Sequence, residues 1–170
     1  MNQQDAPRRG LAKSFFYLSW ICLLGVLYLL FDNVLESQYN PNKELHSQQQ
    51  AGKSVVLTRN RQGHYVAPGL INQQPVIFLL DTGATNVSIP ESLADKIGLQ
   101  GQAWGKVQTA NGTIDIQITT LDSISLGSIT QSNVRANINP YMDDETVLLG
   151  MSFLKHLELT QRGDTLTLKP

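Results

Sequence analysis

The stretch FLLDTGATNVSIP, Phe78 to Pro90, decides how this chain is read. An unbroken apolar run, Val76–Leu80, leads directly to a single acidic residue, Asp81, and then to the small, turn-prone Thr82-Gly83-Ala84. Carboxylates are rarely buried without a partner. A charge at the tip of a core-type strand therefore asks for a second group to share its burden. The neighbouring residues suit that situation. The Thr82 hydroxyl both donates and accepts hydrogen bonds, and Gly83 lets the backbone turn and approach closely with no Cβ in the way.

These are the parts of an aspartic peptidase loop, a chemistry that places two carboxylates around one water. One acts as general base, and the other, protonated, donates to the substrate carbonyl. Hydrolysis by this route requires no cofactor and forms no covalent intermediate. Two carboxylates about 3 Å apart repel by roughly 5 kcal/mol at an effective dielectric near 20. One proton is then shared by the pair, as is general for such dyads. A second Asp-Thr/Ser-Gly is needed, and the chain has none. Asp122-Ser123 is followed by Ile124, and Asp164-Thr165 by Leu166. The 117 residues from Ser54 onward are too few for two lobes of this kind. The partner carboxylate must come from another chain, and a two-fold homodimer would bring the two copies of Asp81 to its axis.

The rest of the chain bounds this reading. A formal net charge of -1 over 170 residues, with no Lys/Arg stripe, argues against nucleic acid as a partner. The single cysteine, Cys22, excludes a disulfide within the chain, and His46, His64 and His156 lack metal-ligand spacing, so no metal site is expected. Phe15–Phe31, FFYLSWICLLGVLYLLF, carries no charge over 17 residues. As a helix it is about 26 Å long, a short but adequate membrane span if Ser14 and a snorkelling Lys13 extend it. A cleaved signal peptide would have a shorter apolar core and a small-residue site after it, whereas Asp32-Asn33-Val34-Leu35-Glu36 follows here. An uncleaved signal anchor is expected. Arg8, Arg9 and Lys13 precede the span, and Asp32 and Glu36 follow it. The positive-inside rule then leaves residues 1–14 in the cytoplasm and exports the remainder. Residues 32–53 read as a polar linker, which as flexible coil would reach about 25 Å.

From Ser54 short β-type runs alternate with turn signals. Ser54–Thr58 and Gly63–Ala67 flank a polar turn, and Val76–Leu80 has the continuous apolarity of a fully buried strand. Glu91–Ile97 reads as a short helix ended by Gly98. Ile114, Ile116 and Ile118 alternate with polar residues behind Asn111-Gly112, a strong hairpin signal. Ser123–Leu126 and Val134–Ile138 form a further strand pair, and Val147–Leu149 is a second apolar strand. Ser152–His156 is a short helix, and Leu157–Thr160 and Thr165–Leu168 bracket a turn at Arg162-Gly163-Asp164. Many short strands with little helix predict an all-β closed barrel over residues 54–170. Asp143-Asp144-Glu145 lacks the spacing of a calcium loop and reads as solvated. Trp104 reads as a packing residue.

The domain resembles the retropepsin-like aspartic proteases, and among them a family of bacterial membrane-anchored members. The resemblance rests on Asp81-Thr82-Gly83-Ala84-Thr85 behind VIFLL, on VLLGMSFL (Val147–Leu154) as the second apolar strand ending in glycine, and on QTANGTI (Gln108–Ile114) at the place of the flap. It implies a closed acid-protease barrel with one or two short helices, preceded by a single transmembrane helix, active as a homodimer on peptide substrates. It implies that Asp81 is catalytic, that Thr82 hydrogen-bonds across the dimer axis, and that Gly83 lines the cleft beside Ala84. It further implies that Ala110, Asn111 and Gly112 form the flap tip, and that Leu149 and Gly150 belong to the second strand-Gly-helix element. Together with the flanking charges, it places the enzyme in the inner (cytoplasmic) membrane as a single-pass protein with the protease domain periplasmic or extracytoplasmic. Viral members carry acidic residues after D-T-G-A and Arg with Asn or Asp after the second glycine. Thr85 and Asn86, and Met151 and Ser152, stand there instead, so the charged bracing is absent or differently made. A non-catalytic peptide-binding module with the same groove is the alternative reading, and the intact D-T-G argues against it.

Overall fold

The computed structural model describes residues 6–45, 54–109 and 112–170. The chain divides into two compact units, residues 1–38 and 39–170.

The first unit is a helix, α1 (Ala6–Tyr39), whose last residue belongs to the second unit. Within it Lys13–Phe31 is long and apolar enough to cross a membrane by length and composition. Its apolar side chains are exposed on every face, as at Phe15, Tyr28 and Phe31, so the run is apolar all round rather than amphipathic. The Ser19 hydroxyl donates to the Phe16 carbonyl at 2.8 Å, so this hydroxyl is satisfied inside the helix. The helix runs past the expected span end into the expected linker.

The second unit is a closed barrel with a small companion sheet. Its strands are β1 (Val55–Thr58), β2 (Val66–Ile71), β3 (Gln74–Leu80), β4 (Val87–Pro90), β5 (Ala103–Thr109), β6 (Gly112–Leu126), β7 (Ile129–Asn139), β8 (Thr146–Leu149), β9 (Glu158–Arg162) and β10 (Thr165–Lys169). Two short helices, α2 (Glu91–Lys96) and α3 (Met151–Leu154), complete it. The large sheet runs β2-β3-β8-β4-β7-β6-β5, and β2 also pairs with β6 through Leu70–Ser125 and Ile71–Ile124. Six strands thus close on themselves, and β5 remains outside as one arm of a hairpin. Closure removes the exposed edges that an open sheet would present.

Local chemistry explains the closure. Gly69 lies where an added Cβ would sit 2.4 Å from the Ser125 carbonyl oxygen and 2.5 Å from the Phe78 ring, so only glycine lets β2 approach β6 this closely. Asn72 and Gln73 join β2 to β3 with φ of 47° and 68°, the left-handed pair of a tight two-residue hairpin turn. Asn72 then exchanges hydrogen bonds with Ser123 of β6, through its N–H at 2.9 Å and its side-chain oxygen at 3.0 Å. The interior is filled by fully buried Phe78, Ile89, Leu121, Ile124, Leu149 and Phe153, among others. β3 and β8 pair in parallel, which accounts for their continuous apolar sequences.

The companion sheet, β1-β10-β9, holds the C-terminal hairpin, with Gly163 turning at φ 58°. The segment expected to be a free polar linker behaves otherwise. Asn40, Asn42 and Leu45 are buried. The Asn42 side chain donates to the carbonyls of Thr58 (2.9 Å) and Val66 (2.8 Å) and accepts from the Thr58 N–H (2.8 Å). Asn60 donates to the Tyr39 carbonyl at 3.0 Å, and the Tyr39 hydroxyl pairs with Thr146 at 3.1 Å. Residues 39–45 are therefore a clasp on the barrel. Asparagine makes this possible because its amide satisfies backbone groups that the strand ends leave open. The remainder of the expected linker, residues 46–53, lies outside the described residues.

Candidate active site

The Asp81 loop begins where two core strands end together. Leu80 pairs with Leu149 at the last position of the β3–β8 ladder. The Asp81 N–H extends it by donating to the Leu149 carbonyl at 3.2 Å. The carboxylate leaves the barrel at that point, half-buried. Its Oδ1 accepts the Gly83 N–H at 2.8 Å, and the Asp81 main-chain carbonyl accepts the Ala84 N–H at 3.3 Å. A tight turn results in which the loop's own backbone orients the carboxylate. Thr82 and Gly83 form its exposed crest.

The second strand-Gly-helix element supports this turn from beneath. Gly150 follows β8, and a Cβ there would meet the Asn86 carbonyl oxygen at 2.3 Å and that of Ala84 at 2.7 Å. The first residues of α3 then bind the loop. The Met151 N–H donates to the Ala84 carbonyl at 2.8 Å, and the Ser152 N–H to the Thr85 carbonyl at 2.9 Å. Asp81, Thr82, Gly83 and Ala84 are thus gathered with Leu149 and Gly150 into one hydrogen-bonded unit, although the two groups stand far apart along the chain.

The region expected to act as a flap is the β5–β6 hairpin. Thr109 pairs with Gly112, and the Thr109 hydroxyl donates to the Gly112 carbonyl at 2.9 Å. Gly112 has φ of 119°, a conformation that favours glycine. Ala110 and Asn111, the expected tip, lie outside the described residues. The hairpin has two unlike faces. Lys106 faces Asp115 at 3.7 Å, and Thr113 donates to Gln108 at 2.7 Å, whereas Val107 and Ile114 are half-buried on the other side. Trp104 lies on the polar face and is 73% exposed. The expectation that it packs is corrected: its register opposite Gln117 turns it away from the barrel interior. Asp143, Asp144 and Glu145 lie in the loop before β8, and Glu145 pairs with Lys96 at the surface.

A closed barrel that presents an Asp-Thr-Gly turn at the ends of paired inner strands defines the retropepsin-like class of aspartic proteases. The model of the family described as "gag-polyprotein putative aspartyl protease" matches residues 67–156, over half of the chain, and the chain belongs to that family. A solved retropepsin-like aspartic protease from Rickettsia conorii is similar to it, with a TM-score of 0.56 and 26% identity, covering 68% of this chain and 87% of that one. Two curated relatives match as well. An uncharacterised protein in the cobV 5' region of Sinorhizobium sp. is 36% identical over 121 residues, 69% of this chain and 52% of its own length. The uncharacterised protein RP867 of Rickettsia prowazekii is 25% identical over 107 residues, 61% of this chain and 46% of its own. The chain spans about half the length of these curated relatives.

Proposed function

We propose that this protein is a membrane-anchored aspartic endopeptidase that works as a symmetric homodimer. Asp81 of each subunit would form the dyad, and a water held between the two carboxylates would attack the scissile carbonyl. The observation that carries this reading is the Asp81 turn. It is rigidly supported by β3, β8 and α3, yet its Thr82-Gly83 crest is exposed on a single chain. Such a surface suits a second copy of itself, in which Thr82 would hydrogen-bond across the axis. An extended peptide would lie against Gly83 and Ala84 by backbone pairing. The β5–β6 hairpin, with Ala110, Asn111 and Gly112 at its tip, would close over it and exclude water. No cofactor enters the reaction.

The apolar helix over residues 15–31 would fix the enzyme in the inner membrane, with residues 1–14 cytoplasmic and the protease domain periplasmic. Substrates would be exported or membrane-proximal proteins. The catalytic reading is tested by following cleavage of an unfolded protein by purified wild type and Asp81→Asn across a range of pH. Wild type should cleave, and Asp81→Asn should lose at least about 100-fold in rate. Undiminished activity in Asp81→Asn would sink the proposal. Binding of a pepstatin-like transition-state mimic separates a peptidase from a peptide-holding module, because only catalytic geometry favours it.

A further inference from the structure

The Asp81 turn is fastened firmly on the incoming side, where β3 pairs with β8. On the outgoing side, residues 84–87 must cross from the turn to the start of β4 with no strand partner before Val87. We infer that Ser152 is the positioning residue that holds this outgoing side, and through it the orientation of the Asp81 carboxylate. This rests on the peptidase reading for its catalytic consequence, though not for the contact itself.

The Ser152 hydroxyl uses both of its capacities. It accepts the Val87 N–H at 3.0 Å and donates to the Arg135 carbonyl at 2.7 Å. Val87 opposite Ala136 is the first pair of the parallel β4–β7 ladder. The hydroxyl is therefore inserted at the open end of that ladder, where backbone pairing has not yet begun. The backbone N–H of the same residue goes to the Thr85 carbonyl at 2.9 Å. One residue thus ties the loop to α3 through its main chain, and to β4 and β7 through its side chain. Few groups can do this. The position needs a compact donor and acceptor on one atom. Alanine offers neither, and valine fills the space of threonine without the hydroxyl. The brace carries no charge, so it is built from an alcohol and three backbone groups where Thr85, Asn86 and Met151 supply no ionic pair.

Loss of the hydroxyl leaves the Val87 N–H and the Arg135 carbonyl without this partner and loosens the loop's exit at Val87, while the main-chain bonds from Met151 and Ser152 to Ala84 and Thr85 remain. A displacement near 1 Å at a reacting group costs up to about 100-fold in rate. The test uses the full chain in detergent micelles, comparing Ser152→Ala, Ser152→Val and Ser152→Thr. Leu166→Ala, in the companion sheet, serves as a variant destabilised elsewhere. At a temperature where all are folded, Ser152→Ala and Ser152→Val should lose about tenfold or more in kcat with KM changed less than about twofold. Ser152→Thr should stay within about threefold of wild type, and Leu166→Ala should keep its kcat. Amide exchange at Val87 should quicken about tenfold in Ser152→Ala and remain unchanged in Leu166→Ala.

Equal activity of the valine and threonine variants would overturn the inference, as would unchanged Val87 exchange in Ser152→Ala. If wild type cleaves nothing while Asp81→Asn behaves identically, it is the peptidase reading that fails, and the Val87 exchange still decides whether the brace exists.

Discussion

At Gly150 and Gly83 the same change has opposite expected consequences. A methyl group at Gly150 would be driven into two backbone carbonyls, those of Asn86 and Ala84, and neither can move without unseating the loop. Gly150→Ala should therefore cost more than about 2 kcal/mol of stability, read by urea melts. At Gly83 the nearest atom to an added Cβ is Asp81 Oδ1 at 3.1 Å, a side-chain oxygen that can rotate. Gly83→Ala should leave stability within about 1 kcal/mol while lowering kcat, since the atom that yields is the one proposed to react. Trp104, exposed on the polar face of its hairpin, should tolerate alanine within about 0.5 kcal/mol in the same melts.

Among the elements, the clasp at residues 39–45 carries the clearest stability prediction. Removing the Asn42 amide strands two carbonyls and one N–H at the ends of β1 and β2. Asn42→Ala should cost about 2–3 kcal/mol, and a fragment starting at Tyr39 should melt well above one starting at Ser54. The sequence conceals this element because Asn40-Pro41-Asn42 has the composition of a linker, and its partners, Thr58 and Val66, contribute only backbone. β3 and β8 are legible for the opposite reason: their inner positions are apolar without interruption. β4 escapes a reading from pattern because Ser88 and Pro90 interrupt it, yet all four of its residues are buried. The Ser88 hydroxyl is satisfied by Asn137 at 2.7 Å, 49 residues away, a pairing that no local pattern announces. β6 reads as two strands, since its 15 residues change partners from β5 to β7 midway. The Asp81 loop itself is legible, because Asp, Thr and Gly each have a separate chemical reason to be there. Its support by Ser152 is not, because a serine hydroxyl gains meaning only from the two backbone groups that fold around it.

For the whole molecule, the proposed dyad makes activity a property of two chains. A fragment beginning at Tyr39 should lose specific activity on dilution and recover it on concentration, while the full chain in vesicles should be much less sensitive. Confinement to one surface raises the effective concentration of the partner. Activity of the soluble fragment that is independent of its concentration down to the nanomolar range would contradict the shared site.

In the proposed membrane-anchored enzyme, the length of chain before the clasp would also limit the working height. Between Phe31, the last residue of the apolar run, and Tyr39, the first residue held by the barrel, the chain advances eight residues. That is about 12 Å as helix and at most about 28 Å fully drawn out. With the run embedded in a bilayer, this segment would act as a short stalk. Bulky folded proteins standing on the membrane would be screened out by size, and unfolded stubs and peptide tails lying near the lipid would be admitted. Lengthening the stalk, by inserting residues between Phe31 and Tyr39, should widen the set of proteins cleaved without changing the sequence preference at the cut.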